Sequence, residues 1–361
     1  MRATLPGVGR TLLLSLVLLA FASHANAGEL QWSGFALLRG ASADDTGPLP
    51  HEALSAQLQV GLEWWASPAF GAHVHLLGRS DGDGERAHAG VPEAYLELNL
   101  HPRGDRVRVR GGAFFLPTSR ENVDALWENP YAISSSALNS WFGEELRPIG
   151  VDVSYFHHGG AFAGATVFRG NDTFGALPPA RGWTLDDHWT LLGEWVPVDP
   201  EYYTSLSYES DGRLSWSARG GWNGEHLLVQ LTHLDNRSDG LEHREPLFNW
   251  GTRFTIAAAE YTRDDWTFAA EDGWGTTFLV TEEGKFTSRI EAGYALASRR
   301  LGHSRMTARF DSFRLGDART NGLTLAYFWT GIPRVRLGGE VSHVDGANRV
   351  LVEARYLFSG R

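Results

Sequence analysis

From Leu30 to its last residue the chain consists of short stretches that alternate apolar with small or polar residues, and none sustains a 3.6-residue period. One run sets Leu54, Ala56, Leu58, Val60, Leu62 and Trp64 against Ser55, Gln57, Gln59, Gly61 and Glu63. Another sets Ala94, Leu96, Leu98 and Leu100 against Glu93, Tyr95, Glu97 and Asn99, and the last opposes Val350, Val352, Ala354, Tyr356 and Phe358 to Arg349, Glu353 and Arg355. Successive side chains of an extended strand point to opposite faces, so each run has one apolar face and one polar face. Turn-forming Gly, Asp, Asn and Pro separate the runs. The chain is therefore all-β.

Alternation alone fits a soluble sandwich as well as a closed barrel, so connectivity has to separate them. Eighteen runs begin near residues 30, 53, 70, 91, 105, 146, 160, 188, 201, 213, 225, 248, 265, 286, 304, 321, 335 and 348, with sixteen as the alternative count. Every second connection is short: Ser67-Pro68-Ala69, Pro102-Arg103-Gly104, Gly159-Gly160, Pro197 to Pro200, Asn223-Gly224, Arg263-Asp264, Leu301-Gly302 and Ile332-Pro333. The longer ones, at 40–52, 81–90, 117–145, 171–187 and 236–247, fall on the opposite side. That asymmetry belongs to transmembrane antiparallel up-and-down β-barrels with tight turns at one rim and loops at the other. Closure follows physically, because an unpaired backbone group in hydrocarbon costs several kcal/mol. Trp64, Trp65, Trp195, Tyr202, Tyr203, Trp222, Trp266, Phe328 and Trp329 lie near strand ends, where aromatic girdles would sit.

The N-terminus agrees. Arg2 and Arg10, an apolar run from Thr11 to Ala22, and Ala25-Asn26-Ala27 follow the order of a cleaved secretory signal, so residues 1–27 are expected to leave and 28–361 to form the barrel. The run is too short for a membrane-spanning helix, which needs about 20 residues. Losing two arginines and no acid takes the formal charge from −11 to −13, which disfavours a nucleic-acid partner. The chain has no cysteine, which excludes thiolate chemistry. Lys285 is the only lysine, so nearly all positive charge is guanidinium.

A barrel this wide encloses water unless something folds inside it. The third long connection, 117–145, carries Leu126, Trp127, Tyr131, Ile133, Leu138, Trp141 and Phe142, a costly set for an outer surface. Thr118 and Glu121 stand at capping-box spacing and predict a short helix from Ser119 to Trp127. The segment is expected to fold into the lumen as a constriction loop; a cap over the mouth or a subunit contact is the alternative. Arg106, Arg108 and Arg110 alternate with Val107 and Val109. An arginine on the lipid face near the midplane costs roughly 2–4 kcal/mol, so all three should point inward. The same argument turns Arg334, Arg336, Arg349 and Arg355 inward as pore-lining groups. Facing them would be Arg120, Glu121, Asp124, Glu144, Glu145 and Arg147 of the loop region. Such a wall either sets a transverse field across the constriction or forms ion pairs with acids such as Asp152, Glu340 and Glu353 that hold the loop.

The signal sequence, the long third loop and the terminal Tyr356-Leu357-Phe358 together resemble the bacterial outer-membrane porin family across the mature chain, although Ser359-Gly360-Arg361 follows the aromatic signature. Gly112 to Asn122, a strand running into Phe-Leu-Pro and then Ser-Arg-Glu-Asn, is loosely similar to the phosphate-selective O/P-type porins, from whose use of lysines this chain departs. The resemblance implies a homotrimer in outer-membrane lipid, delivered by the barrel assembly machinery, that passes small hydrophilic solutes or ions, with anions preferred along basic residues.

No GxSxG, HExxH or phosphate-cradling glycine loop is present. No catalytic residue, cofactor or metal is expected, since the 14 histidines are scattered and His157-His158 falls in a predicted tight turn. Two other classes stay open. An outer-membrane enzyme would cluster Ser, His and an acid at one rim; a non-conducting barrel would have a plugged lumen. A sugar channel lined by successive aromatics is a variant of the pore, prompted by the 14 tryptophans.

Overall fold

The computed structural model describes residues 28–44, 54–80, 86–122, 125–169, 171–197, 203–205, 208–244 and 247–361. The expected signal segment, Asp124 and Tyr202 lie outside them. Sixteen antiparallel strands close into one barrel: β1 (Glu29–Ala43), β2 (Leu54–Trp65), β3 (Phe70–Ser80), β4 (Ala89–Leu100), β5 (Arg106–Ala113), β6 (Ile149–Phe156), β7 (Ala161–Arg169), β8 (Ser215–Asn223), β9 (Leu227–Asn236), β10 (Gly251–Arg263), β11 (Trp266–Thr281), β12 (Gly284–Leu301), β13 (Ser304–Leu315), β14 (Ala318–Ile332), β15 (Val335–Val344) and β16 (Ala347–Gly360). Neighbours in sequence are neighbours in the sheet, and β1 closes on β16 through Trp32↔Gly360 to Ala43↔Arg349. No described helix is long and apolar enough to cross a membrane. Strands do the crossing in this architecture.

Two strands of the eighteen are absent from the barrel. The runs near 188 and 201 belong to a long connection from β7 to β8, whose described residues contribute a short helix and a two-stranded ribbon, Trp195–Pro197 with Tyr203–Ser205. Trp189, Leu191 and Val196 are buried there, so their apolar pattern reports burial inside the molecule and not contact with lipid. Of the expected tight turn at Pro197 to Pro200, Pro197 ends a strand of this ribbon and residues 198–200 lie outside the described residues.

The other turns follow the sequence. Asp345-Gly346 between β15 and β16 takes positive φ at both positions (49° and 83°), the conformation that suits a two-residue hairpin to strand twist. Gly302 turns β12 into β13 at φ 60°. Two-residue links let β11 and β12 run to 16 and 18 residues, whereas β5 and β6, flanking the third loop, have 8 each.

The barrel's faces obey the alternation. Leu54, Leu58, Leu96, Val151, Val153, Leu325 and Val352 are exposed on the outside, and Gln59, Asp152, Thr324 and Glu353 are buried on the inside. Trp222 and Trp266 stand exposed near strand ends, as a girdle requires. Phe328 does not: it points inward, 3% exposed, with the Arg336 guanidinium 4.2 Å from its ring centre. Trp195 sits in the β7–β8 ribbon and also leaves the girdle set.

The main apolar core joins both long loops to the inner wall. Phe114, Leu138, Trp141, Phe142, Phe174, Leu177, Trp183 and Leu185 pack with inward Phe168, Leu234, Phe254, Ile290, Phe313 and Val344. Trp141 stacks on Phe174 at 4.8 Å and meets Phe254 edge-on at 5.2 Å. The helix of the third loop is not at Ser119–Trp127. There Ser119 Oγ hydrogen-bonds Glu271 and accepts from Glu121 N, and among the described residues of that stretch a single 3-10 turn forms, with Leu126 at φ 60°. The helix, α1, spans Ala137–Glu145; Ser136 caps it by accepting from Asn139 N. A short second helix, α2, spans Leu177–Arg181.

Candidate functional site

β5 runs antiparallel between β4 and β6, and its register settles which way its arginines face. Val107 and Val109 lie beside Leu100, Leu98, Tyr155 and Val153, whereas Arg108 and Arg110 lie beside Asn99, Glu97, Ser154 and Asp152. Arg106, Arg108 and Arg110 therefore share the inner face. Arg106 lies over the Phe156 ring at 4.3 Å, and Arg110 reaches Asp152 at 3.4 Å. Asp152 is held more closely by Arg219, at 2.8 and 3.1 Å, and accepts from Ser154 and Thr166. Among the described residues, no carboxylate lies within 4 Å of Arg106 or Arg108. These two are the least engaged cations of the inner wall.

The arginines of the opposite wall are bound up with loop residues. Arg336 and Arg355 both take Glu128, at 2.5 and 2.9 Å, and both take Glu353. Arg39 of β1 joins Glu353 at 2.7 Å to Asp187 of the β7–β8 loop at 2.6 Å. Arg349 lies 3.6 Å from Glu340, which accepts from Ile133 N and from Ser134 N and Oγ. Arg334 departs from the expectation. It occupies the turn after Pro333 at φ 65°, is exposed, and takes no place on the inner wall.

The principal anchor, Arg309 of β13, was missed. It has no exposed side-chain surface and donates to Glu121 at 2.6 Å, Asp311 at 2.8 Å and the carbonyls of Ser134 and Ser135. The signal was present, since Arg309 alternates between Ala308 and Phe310 just as Arg108 does between valines. Glu271 of β11, also missed, accepts from Ser119 Oγ, Arg120 N and Tyr294 OH. Arg120 itself reaches Glu260 at 3.5 Å.

The remaining loop residues do not face the arginine wall. Glu144 pairs with Arg86 at 3.2 Å and with Arg181; Glu194 holds Arg79 at 2.6 Å and Arg86 at 2.9 Å. The Glu144 pairs tie α1 to the neighbouring loops, and Glu194 ties the β7–β8 loop to β3 through Arg79. Burial pushes the Glu145 carboxyl up to about 7, against hydrogen bonds from Trp141 Nε1 and the backbone of Ala176 and Leu177. Arg147 is fully buried, donates to the carbonyls of Gly143, Leu146 and Thr190, and is lowered by burial to about 9.

His157 and His158 do turn tightly between β6 and β7, but not alone. Asp105, from the previous turn, accepts from His158 N and Nδ1 at 2.9 Å and from Tyr155 OH, so the potential ligand atoms of all three lie within 4.8 Å of one another. The third neighbour that sequence spacing did not provide comes from 52 positions upstream of His157, across the sheet. The hydrogen bonds make this a turn lock.

A scan against protein-family models and a sequence search of curated proteins find no match. Among solved structures, the chain is similar to a loop L8 deletion mutant of OmpT, an outer membrane protein of Vibrio cholerae, with a TM-score of 0.58 at 11% identity over 92% of this chain and all of that one. In-vitro folded OmpT in its trimer form gives 0.58 at 10% identity over 92% and 100% of the two chains. A mutant of the Rh. blastica porin gives 0.50 at 14% identity over the same shares. This chain has the fold of bacterial outer-membrane porin barrels.

Proposed function

We propose that this chain, freed of residues 1–27, is an outer-membrane porin through which small hydrophilic solutes and ions diffuse passively, with no catalytic step and no cofactor. The observation that carries the reading is the closed sixteen-stranded barrel with an apolar outside and an ionic inside. That distribution is the reverse of a soluble protein's and suits lipid outside and water within. Segment 117–145 folds into the lumen in this reading, supported by its bonds to Arg309, Glu340, Glu271, Arg336 and Arg355 on four strands of the inner wall. It narrows the path and leaves the Arg106, Arg108 and Arg110 ladder along it, Arg106 and Arg108 facing the solutes and Arg110 set against Asp152 behind them, which favours anions. Arg336, Arg349 and Arg355 anchor the loop and do not select among solutes. The trimeric form of one structural neighbour supports a homotrimer here.

One observation favours a second reading. The apolar core that joins the third loop to the β7–β8 loop would seal part of the lumen, as a non-conducting barrel requires. Reversal potentials across a KCl gradient separate the two. A porin conducts, and its anion preference falls in the Arg106→Ala, Arg108→Ala, Arg110→Ala triple variant; a sealed barrel gives no current to measure.

A further inference from the structure

Between the third loop and the inner faces of β2 to β5 lies a cavity of about 250 Å³. Loop residues Phe115, Leu116, Pro117 and Leu126 give it an apolar wall; Glu63, His73, His75, Tyr95, Arg110 and Asn122 supply its polar groups. Its size suits one ring or a short aliphatic body, being near the small end of ligand pockets, roughly 300–1,000 Å³.

The polar groups are unequally satisfied. The acids around it are engaged: Glu93 accepts from Phe115 N at 2.5 Å, Glu97 from Asn99 and Asp152 from Arg219. The nitrogens are not. Arg110 Nε, His75 Nδ1, His73 Nε2 and Asn122 Nδ2 are all buried, and none has a hydrogen-bond partner among the described residues. Arg110 is 7% exposed and His75 4%. Arg110 Nε and Asn122 Nδ2 are donors without acceptors, whereas His75, whose Nε2 donates to Gln59 Oε1, keeps Nδ1 as an acceptor; buried donors without acceptors are costly, and the two here suit a ligand that brings oxygen lone pairs. The flat faces of Tyr95 are covered by His73, stacked at 4.7 Å, and by Arg110, 5.6 Å from the ring centre. Tyr95 therefore offers no open face for a sugar ring to lie on. Among the described residues, Glu63, its carboxylate half exposed and 3.9 Å from His73, is the acid near the cavity without a close partner, and it disfavours a second negative charge on the ligand.

From this set, we infer that the cavity is a binding site for small organic monocarboxylates with an apolar body, held by Arg110 and Asn122 at the charged end and by Phe115, Leu116 and Leu126 along the body. The inference rests on the porin reading for its access route, since solute would reach the site from the lumen.

The test uses the mature chain in detergent and in planar bilayers, with benzoate as the probe. Isothermal titration should show saturable benzoate binding, weakened at least about tenfold in Arg110→Gln, because a charge-assisted hydrogen bond is worth about 1.5–3 kcal/mol. Asn122→Leu, in a residue that holds no strand together, should weaken it too, which covers the case in which Arg110→Gln fails to fold. Phthalate, with a second charge, and benzyl alcohol, with none, should bind more weakly than benzoate. Equal binding of all three, or benzoate binding indifferent to both variants, would overturn the inference. Conductance in KCl without benzoate reads the porin proposal separately: an open channel with no saturable binding removes the site and leaves the pore, and binding to a barrel that never conducts does the opposite.

Discussion

Arg309 shows what the inner wall does at the scale of one residue. Its guanidinium meets two carboxylates and two carbonyls with no access to solvent. Breaking such a buried arrangement by removing one partner costs roughly 3–5 kcal/mol, because Glu121 and Asp311 are left unpaired. Arg309→Met should therefore release the third loop while the barrel remains, and limited trypsin digestion should then cut after Arg120; a variant as resistant as the parent chain would mean that the loop is held elsewhere. Glu145 makes a second prediction. Its folded pKa, about 7, lies above the ordinary carboxylate value of 4.5, so the protonated form is favoured by the fold and its contribution to stability falls as pH rises from about 4.5 to 7. Melting in detergent at pH 5 and pH 8 should differ by up to about 3 kcal/mol more in the parent chain than in Glu145→Gln. No change in that difference would place the Glu145 carboxyl in an ordinary, solvated state. Alternation with apolar neighbours made Arg108, Arg336 and Arg355 legible in the sequence, whereas their partners were only partly so, because Glu128 and Asp187 arrive from loops whose path no periodicity records. Arg334 failed the same rule for a local reason: the turn after Pro333 removes it from the strand.

At the scale of elements, strands were legible wherever one face met lipid. β2, β4 and β16 keep the two-residue period the sequence displays, with exposed apolar residues against buried polar ones. The period fails as a guide where both sides of a segment are covered. The stretch around Trp189 and Leu191 reads as a strand but packs against Leu77, Phe115 and Trp127 inside the molecule. The displaced helix has a similar cause: Glu121 does not close a capping box because Arg309, Ser136 N and Asn139 Nδ2 occupy its carboxylate. A strand-level test follows from β5. Val109→Arg places a charge on its outer face and should reduce stability in vesicles by about 2–4 kcal/mol, whereas Val109→Leu should be neutral. If both variants fold alike, the outer face of β5 does not meet hydrocarbon.

Over the whole molecule, two opposed arrangements share one barrel. The wall that carries β11 to β16 is tall, tightly turned and tied to the third loop through buried ion pairs, and the β5 wall is short and keeps its lowest arginines unpaired. Solutes would then pass on the β5 side, with the loops braced against the other. The central claim is that a water-filled path survives beside the packed loops, and single-channel recording of the mature protein in a planar bilayer tests it most directly. The account predicts discrete open steps in the parent chain and larger, noisier ones in Arg309→Met, where the loop is released. A silent parent chain beside a conducting Arg309→Met variant would contradict it and make the loops a plug.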